Sequence, residues 1–188
     1  MAGRLTAAAH AAIADTLEPG GLAIDATAGN GHDTLFLARA VGPAGLVFAF
    51  DVQSRAIAAT RNRLREARVA DRVRLIEAGH ETLAAQLPPE ACGNIAAVMF
   101  NLGYLPGGDH AVTTASETTT AAIETAVAFL APGAVMTLMA YRGHAGGLSE
   151  SEAVARSCRA LAASGCEVRC EAAAGDGPVL WVVRAPAQ

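Results

Sequence analysis

DATAGNGHDT, residues 25–34, follows a short apolar run (Leu22, Ala23, Ile24) and leads into an apolar-periodic one (Leu35, Phe36, Leu37, Ala38, Val41). This pattern reads as a strand passing through a glycine turn into a helix, which is where an α/β sheet binds a nucleotide-like ligand. Gly29 and Gly31 permit backbone conformations closed to residues with a Cβ. They bring bare N–H groups and the positive end of the next helix toward a ligand. A dinucleotide-binding turn uses this arrangement for a pyrophosphate. Here Thr34 replaces the third glycine of the G-x-G-x-x-G pattern, and an acid, Asp25, ends the strand. A carboxylate there repels a pyrophosphate and attracts a cation. S-adenosylmethionine fits, because it carries an ammonium and a sulfonium and has no phosphate.

Outward from this turn the chain alternates strands and helices. A helix over residues 6–17, with Ala9, Ile13 and Leu17 on one stripe, stops at Pro19-Gly20-Gly21. Strands are expected at 22–25, 46–50 closed by Asp51, 73–76, 95–100 and 135–141. The run at 46–50 is continuously apolar, as a parallel strand buried on both faces should be. Helices fall between them at 33–41, 54–67, 82–87 and 114–130, and a further one at 149–164. Ser54 reads as an N-cap, and Thr114 with Glu117 and Ser149 with Glu152 have capping-box spacing. Residues 168–172 and 179–184, around Gly175-Asp176-Gly177-Pro178, read as a closing antiparallel pair. The expected fold is therefore a single doubly wound α/β domain with a seven-stranded, mostly parallel sheet carrying one antiparallel strand. The leading helix and closing hairpin resemble the Rossmann-like class I methyltransferase plan. Ligands in such sheets sit beyond the carboxyl ends of the strands, and the polar clusters of this chain fall there.

Composition narrows the class. The 188 residues are 52% hydrophobic and 17% charged, which excludes a disordered chain, and aromatics are only 4%, so the core is aliphatic. All 14 basic residues are Arg, and the net charge of −4 gives no general attraction to nucleic acid. Any such partner must meet a local basic patch. Cys92, Cys158, Cys166 and Cys170 lack metal-binding spacing and read as thiols, with Cys166 and Cys170 buried on one strand face. No metal site is expected. The apolar stretch 126–140 is interrupted by Pro132-Gly133 and is too short to span a bilayer. No signal-peptide pattern opens the chain, and the expectation is a soluble, cytoplasmic protein without a membrane partner.

Three further stretches carry chemistry. Asp51 ends the second strand, where a carboxylate accepts both hydroxyls of a ribose, in NAD and S-adenosylmethionine alike. Gln53 lies beside it, and His80 ends the third strand where methyltransferases bind adenine; a surface histidine is the alternative. NLGYLP, residues 101–106, resembles the (Asn/Asp)-Pro-Pro-(Tyr/Phe) motif of amino-group methylating enzymes. In that motif an Asn oxygen and a backbone carbonyl accept hydrogen bonds from the target nitrogen and an aromatic ring stacks on the substrate. Asn101 and Tyr104 keep the polar and aromatic ends, with Leu102 and Gly103 in place of the prolines. YRGHAGGLSE, residues 141–150, joins a strand end to a helix, with His144 open to substrate contact or proton transfer and Glu150 at the helix start. Arg55, Arg61, Arg63, Arg65, Arg68, Arg72 and Arg74 form the dense basic cluster, either a solvated face or a phosphate-tracking patch.

Together DATAGNGHDT, FDVQ at 50–53, His80, FNLGYLPGGDH from Phe100, and YRGHAGG with Glu150 resemble the YtqB-like rRNA methylase family, whose characterised members are called MnmM. Arg142 and His110 stand where the family pattern has a proline and a lysine. The resemblance implies a class I fold and methylation of the 5-aminomethyl group of a tRNA wobble uridine, usually a 2-thiouridine, to 5-methylaminomethyl. Its S-adenosylmethionine site would comprise Asp25, Thr27, Gly29, Asn30, Gly31, Asp33, Asp51, Gln53, His80 and Asn101. Catalysis would fall to Asn101, Tyr104 and His144, and substrate contacts to Leu102, Gly103, Tyr104, Asp109, Tyr141 and His144. The implied partner is the tRNA anticodon stem-loop, with a homodimer as a possible assembly. Alternatives are an rRNA or small-molecule amine methyltransferase using the same cofactor, a non-catalytic RNA-binding protein with a relic site, and an NAD-dependent oxidoreductase, which Asp25 and Thr34 fit poorly.

Overall fold

The computed structural model describes residues 2–105, 107 and 113–187. Helix α1 (Ala2–Ala14) precedes β1 (Leu22–Asp25), α2 (His32–Ala40), β2 (Leu46–Asp51), α3 (Ser54–Glu66), β3 (Val73–Glu77) and the short α4 (Leu83–Gln86). There follow β4 (Ile95–Leu102), α5 (Ser116–Phe129), β5 (Leu130–Ala140), α6 (Gly147–Ala163), β6 (Glu167–Ala172) and β7 (Val179–Arg184). The seven strands form one sheet in the order β3-β2-β1-β4-β5-β7-β6. β7 runs antiparallel to both its neighbours, so it is the one reversed strand. This is the Rossmann-like class I methyltransferase fold.

The doubly wound character comes from two separate apolar layers. On one face Leu5, Ala9 and Ile13 of α1, Leu37 and Ala38 of α2 and Leu64 of α3 pack on Ala23, Val47, Ala97, Met99 and Val135. On the other, Leu83, Ile123, Ala126, Val154 and Cys158 cover Ile24, Phe48, Phe50, Val98, Phe100 and Met136. Alternate residues of each inner strand serve opposite layers, so β2 is continuously apolar up to the Asp51 that ends it. The apolar stripe of α1 extends one turn further toward the N-terminus than residues 6–17 suggest, because Leu5 is only 1% exposed and continues the spacing of Ala9 and Ile13. Among the described residues, no helix is long and apolar enough to cross a membrane.

Several local expectations change. Ser54 does not cap α3: its hydroxyl donates to Glu77, and Gln53 takes the cap position. Neither capping box forms. α5 starts at Ser116 and α6 at Gly147, the latter capped by Gly146 in the left-handed region at φ 81°. β5 begins at Leu130, accommodating Pro132-Gly133 in an irregularity opposite Ile95–Ala97. Of the cysteines only Cys158 is buried, which pushes its thiol up to about 12; Cys166 is half-buried at the approach to β6, and Cys170 is exposed because β6 is the sheet edge.

Candidate active site

The chain reverses direction across the sheet between β1 and β4, and the loops leaving these strands diverge there. A cavity of about 1340 Å³ opens at that point. Pockets for one drug-sized ligand run to roughly 1,000 Å³, so this one has room for a cofactor and part of a second molecule. Thr27, Gly29, Asn30, Asp33, Asp51, Gln53, His80, Asn101, Gly103, Tyr104, Tyr141 and His144 all line it. Asp25, Gly31 and Leu102 do not, and Asp109, with Pro106, Gly108 and His110, lies outside the described residues.

The Asp51 carboxylate is held by two backbone donors: Gly29 N–H reaches Oδ2 at 2.9 Å and Gln53 N–H reaches Oδ1 at 2.9 Å. Each oxygen keeps a lone pair for a ligand. Behind the loop, α3 holds it in place: Thr60 Oγ1 donates to Gly29 O at 3.1 Å, and Arg63 Nε to Asn30 O at 2.7 Å. Gly31 has φ 77°, and a Cβ there would lie 2.8 Å from Thr60 Oγ1. Its glycine serves the packing of α3 on the turn rather than close approach of a ligand.

Asp25 also differs from its expected place. It is fully buried beneath the loop, accepting from Thr27 N–H at 3.1 Å and from the Thr34 hydroxyl at 2.5 Å. Thr34 thus replaces the third glycine with a ligand for the strand-end acid. Burial, reinforced by the neighbouring charge of Asp33, raises the Asp25 carboxyl to about 7 against the pull of these hydrogen bonds. Asp25 supports the loop and does not touch the cavity. His80 is buried too, only 6% exposed, with Nδ1 facing Ala26 O at 3.3 Å. Nδ1 therefore carries the hydrogen, and Nε2 is a buried acceptor without a hydrogen-bond partner. Burial lowers its pKa and keeps the ring neutral.

Asn101 belongs to β4 rather than following it. Its N–H donates to Thr27 Oγ1 at 2.7 Å, and its side-chain NH₂ donates to Asp33 Oδ2 at 2.5 Å. An amide oxygen facing that carboxylate would repel it, so the carboxylate selects the NH₂ end and leaves Oδ1 as acceptor. Asp33 Oδ1 in turn accepts from His10 Nε2 at 2.6 Å. The imidazole of His10 lies flat on Phe36, with centroids 3.9 Å apart and planes within 2°.

The second wall comes from the loops after β4 and β5. Tyr141 N–H donates to Leu102 O at 3.0 Å, and Thr114 N–H to Gly103 O at 3.0 Å. A Cβ on Gly103 would stand 3.4 Å from Tyr141 Cβ, so the glycine lets the two loops approach. Tyr104 meets His144 edge-on, at 5.9 Å and 89°. His144 is half-buried, with Nδ1 toward Ala145 O at 3.0 Å and Nε2 buried without a hydrogen-bond partner. Burial, with the charge of Asp33, raises the Tyr141 hydroxyl. Glu150 lies in the first turn of α6, as expected, but it is no solvent-facing charge: it is 3% exposed and accepts from Thr114 at 2.7 Å and Thr119 at 2.6 Å.

Some lining residues escaped sequence reasoning. His10, Phe36 and Arg39 come from α1 and α2, and Asp176 and Pro178 from the β6–β7 turn. The turn is held there by the Arg142 guanidinium, which donates to the carbonyls of Gly175 and Gly177. His10 borders the apolar stripe of α1, but nothing in the helix pattern tells which end of the sheet that border faces. The basic cluster divides. Arg55, itself exposed, donates to Gly107 O at 2.6 Å, Arg63 to Asn30 O, and Arg72 to Ala38 O at 3.4 Å, whereas Arg61, Arg65, Arg68 and Arg74 are exposed. α3 ends at Glu66, so Arg68, at φ 57°, lies beyond the face shared by Arg61 and Arg65.

The family described as "Putative rRNA methylase" matches residues 47–175. A solved putative rRNA methylase from Clostridium thermocellum is 37% identical, superimposes with a TM-score of 0.89, and covers 95% of this chain and 96% of its own. A putative methyltransferase from Streptococcus mutans, solved in complex with SAH, is 32% identical at a TM-score of 0.84, covering 95% and 96%. The Arabidopsis thaliana protein named tRNA (mnm(5)s(2)U34)-methyltransferase, chloroplastic, is 37% identical over 159 residues. That match covers 80% of this chain but only 57% of the relative, so the chain spans little more than half the relative's length. A match over most of the chain and a shared fold along nearly its whole length have one meaning: the chain belongs to the rRNA methylase family of S-adenosylmethionine-dependent class I methyltransferases.

Proposed function

We propose that this chain N-methylates the 5-aminomethyl group of a tRNA wobble uridine, usually a 2-thiouridine, to 5-methylaminomethyl, using S-adenosylmethionine. The observation that carries the reading is the Asn101 amide, whose NH₂ end is committed to Asp33 and whose Oδ1 is left as acceptor in the wall of the cavity. An acceptor suits an amine nucleophile: it takes an N–H bond and turns the lone pair toward the methyl carbon. The name of the Arabidopsis relative supports the same nucleotide.

The residues fit the cofactor. Asp51, fixed by two N–H donors, accepts the ribose hydroxyls, with Gln53 beside it. Neutral His80 lines the part of the cavity that would take the adenine. Thr27, Gly29 and Asn30 form the floor. The cofactor supplies a methyl group already activated on sulfonium, so the amine pair forms the N–C bond as the C–S pair returns to sulfur. Protein catalysis is then mostly positioning. Asn101 Oδ1 orients the amine, Tyr104 stacks on the uracil, and Tyr141 with Gly103 closes the wall beside it. One proton must leave the nitrogen, and the His144 ring, which lines that wall, is the candidate acceptor.

Mass spectrometry of wobble nucleosides from cells with and without the gene tests the proposal. Loss of 5-methylaminomethyl-uridines with accumulation of the 5-aminomethyl precursors is expected. Unchanged tRNA alongside a missing methyl group in rRNA would transfer the same chemistry to the ribosome. With purified protein, Asn101→Ala should slow single-turnover methylation by about 10²-fold, since misplacing a nucleophile by an ångström costs that much, while cofactor affinity stays near normal.

A further inference from the structure

We propose that His10 is a positioning residue for methyl transfer, acting through Asp33 on Asn101. The inference rests on the reading of Asn101 as the amine-orienting group, and two of its three residues, His10 and Asp33, lie outside the 47–175 span matched by the family.

Three elements meet in one line of hydrogen bonds: His10 of α1 donates to Asp33 Oδ1, and Asn101 of β4 donates to Asp33 Oδ2. A carboxylate held at one oxygen only can swing about its Cβ–Cγ bond, carrying the Asn101 amide with it. A second donor on the other oxygen removes that freedom. The Asp33 side chain is 12% exposed and His10 28%, so water competes poorly for the inner oxygen. Phe36, one helical turn beyond Asp33 on α2, stacks on the imidazole and fixes its plane, which aims Nε2 at the carboxylate. α1 does not need this contact to stay on the sheet, because Leu5, Ala9 and Ile13 anchor it through the apolar layer. The polar line is therefore added to a helix already held, and its end is the group proposed to face the amine.

Two substitutions separate this role from a packing role. His10→Phe keeps a ring against Phe36 and removes the donor, whereas His10→Gln loses the ring and keeps an N–H at comparable reach. The readouts are the single-turnover rate on tRNA bearing 5-aminomethyl-uridine at saturating cofactor, the affinity for S-adenosylhomocysteine by calorimetry, and the melting temperature. His10→Phe should slow the chemical step by about tenfold or more with cofactor affinity and melting temperature near wild type, and His10→Gln should recover most of the rate. In an Asn101→Ala background His10→Phe should add little, since residues acting as one unit are non-additive. A fast His10→Phe beside a slow Asn101→Ala overturns the role of His10 and leaves that of Asn101. So does a slow His10→Gln beside a normal His10→Phe, the signature of packing, or a loss that multiplies with Asn101→Ala. A fast Asn101→Ala removes the reading beneath both.

Discussion

Asp25 and Asp51 each end a parallel strand beside the cavity, yet they face different surroundings. Asp51 turns toward the open side and keeps lone pairs for a ligand, while Asp25 turns under the loop, where Thr27 and Thr34 occupy its oxygens. The strand-end position of both was legible from sequence. The direction of each side chain was not, because it depends on Thr34, nine residues away across a turn. The buried carboxyl has a consequence for stability. The folded state holds a proton on Asp25 up to about 7, whereas an ordinary Asp releases it near 3.8. A raised folded value means that the contribution is fully present below 3.8 and is lost as pH rises through about 7. Asp25→Asn cannot titrate, so its unfolding free energy relative to wild type should climb across that window, whatever the constant offset from the altered hydrogen bonds. Urea denaturation at a series of pH values measures this. Parallel curves for the two proteins would mean that Asp25 titrates as an exposed acid. His80 works in the opposite sense: burial lowers its pKa, so its contribution is present above 6.5 and is lost as pH falls through the folded value.

Among elements, α5 and α6 show why local pattern and realised structure diverge. Thr114 and Ser149 have the spacing of capping residues, but Thr114 donates instead to Glu150, and Gly146 caps α6 through its backbone conformation. Tertiary partners outcompeted the local ones because Glu150 is buried between the helices and requires donors. The two threonines supply them, and Thr114 also carries the N–H that binds Gly103 in the substrate wall. Thr119→Val keeps the shape and removes one donor, leaving Glu150 Oε1 unpaired. It should destabilise the protein by about 1–3 kcal/mol, the cost of a buried group left unsatisfied. Denaturant unfolding reports this, and an unchanged midpoint would show that Glu150 does not depend on Thr119. Gly31 was legible as a glycine the turn requires, though its reason is the approach of Thr60 on α3, which no spacing rule encodes.

At the scale of the molecule, the alternation of strands and helices was enough to anticipate the layers, and the carboxyl-end rule placed most of the polar clusters at one rim. The strand order was not legible, since periodicity carries no information on which strand neighbours which. The contributions of α1, α2 and the β6–β7 turn to the cavity were hidden for the same reason. They arise from how distant elements converge on the rim. The same limit bears on the RNA. A net charge of −4 offers no general attraction, so binding must rest on local basic groups, and the structure has already used several of them. Arg55, Arg63 and Arg72 brace loops and helices, which leaves Arg74 on β3 and, on or just past α3, the exposed Arg61, Arg65 and Arg68. If these three track phosphates, replacing them together with alanine should raise KM for tRNA and flatten its salt dependence while sparing cofactor affinity. The logarithmic salt slope should fall by about 0.7–0.9 for each phosphate that is no longer neutralised. Arg68 stands past the end of α3, so restoring it alone tests whether the RNA follows the helix face or turns around its end. A slope unmoved by the triple replacement would reduce the cluster to solvated surface. The grip on the proposed RNA substrate would then fall to the rim itself, where Arg39, Tyr104 and His144 line the cavity and stacking, which salt hardly weakens, would replace counterion release as the source of affinity.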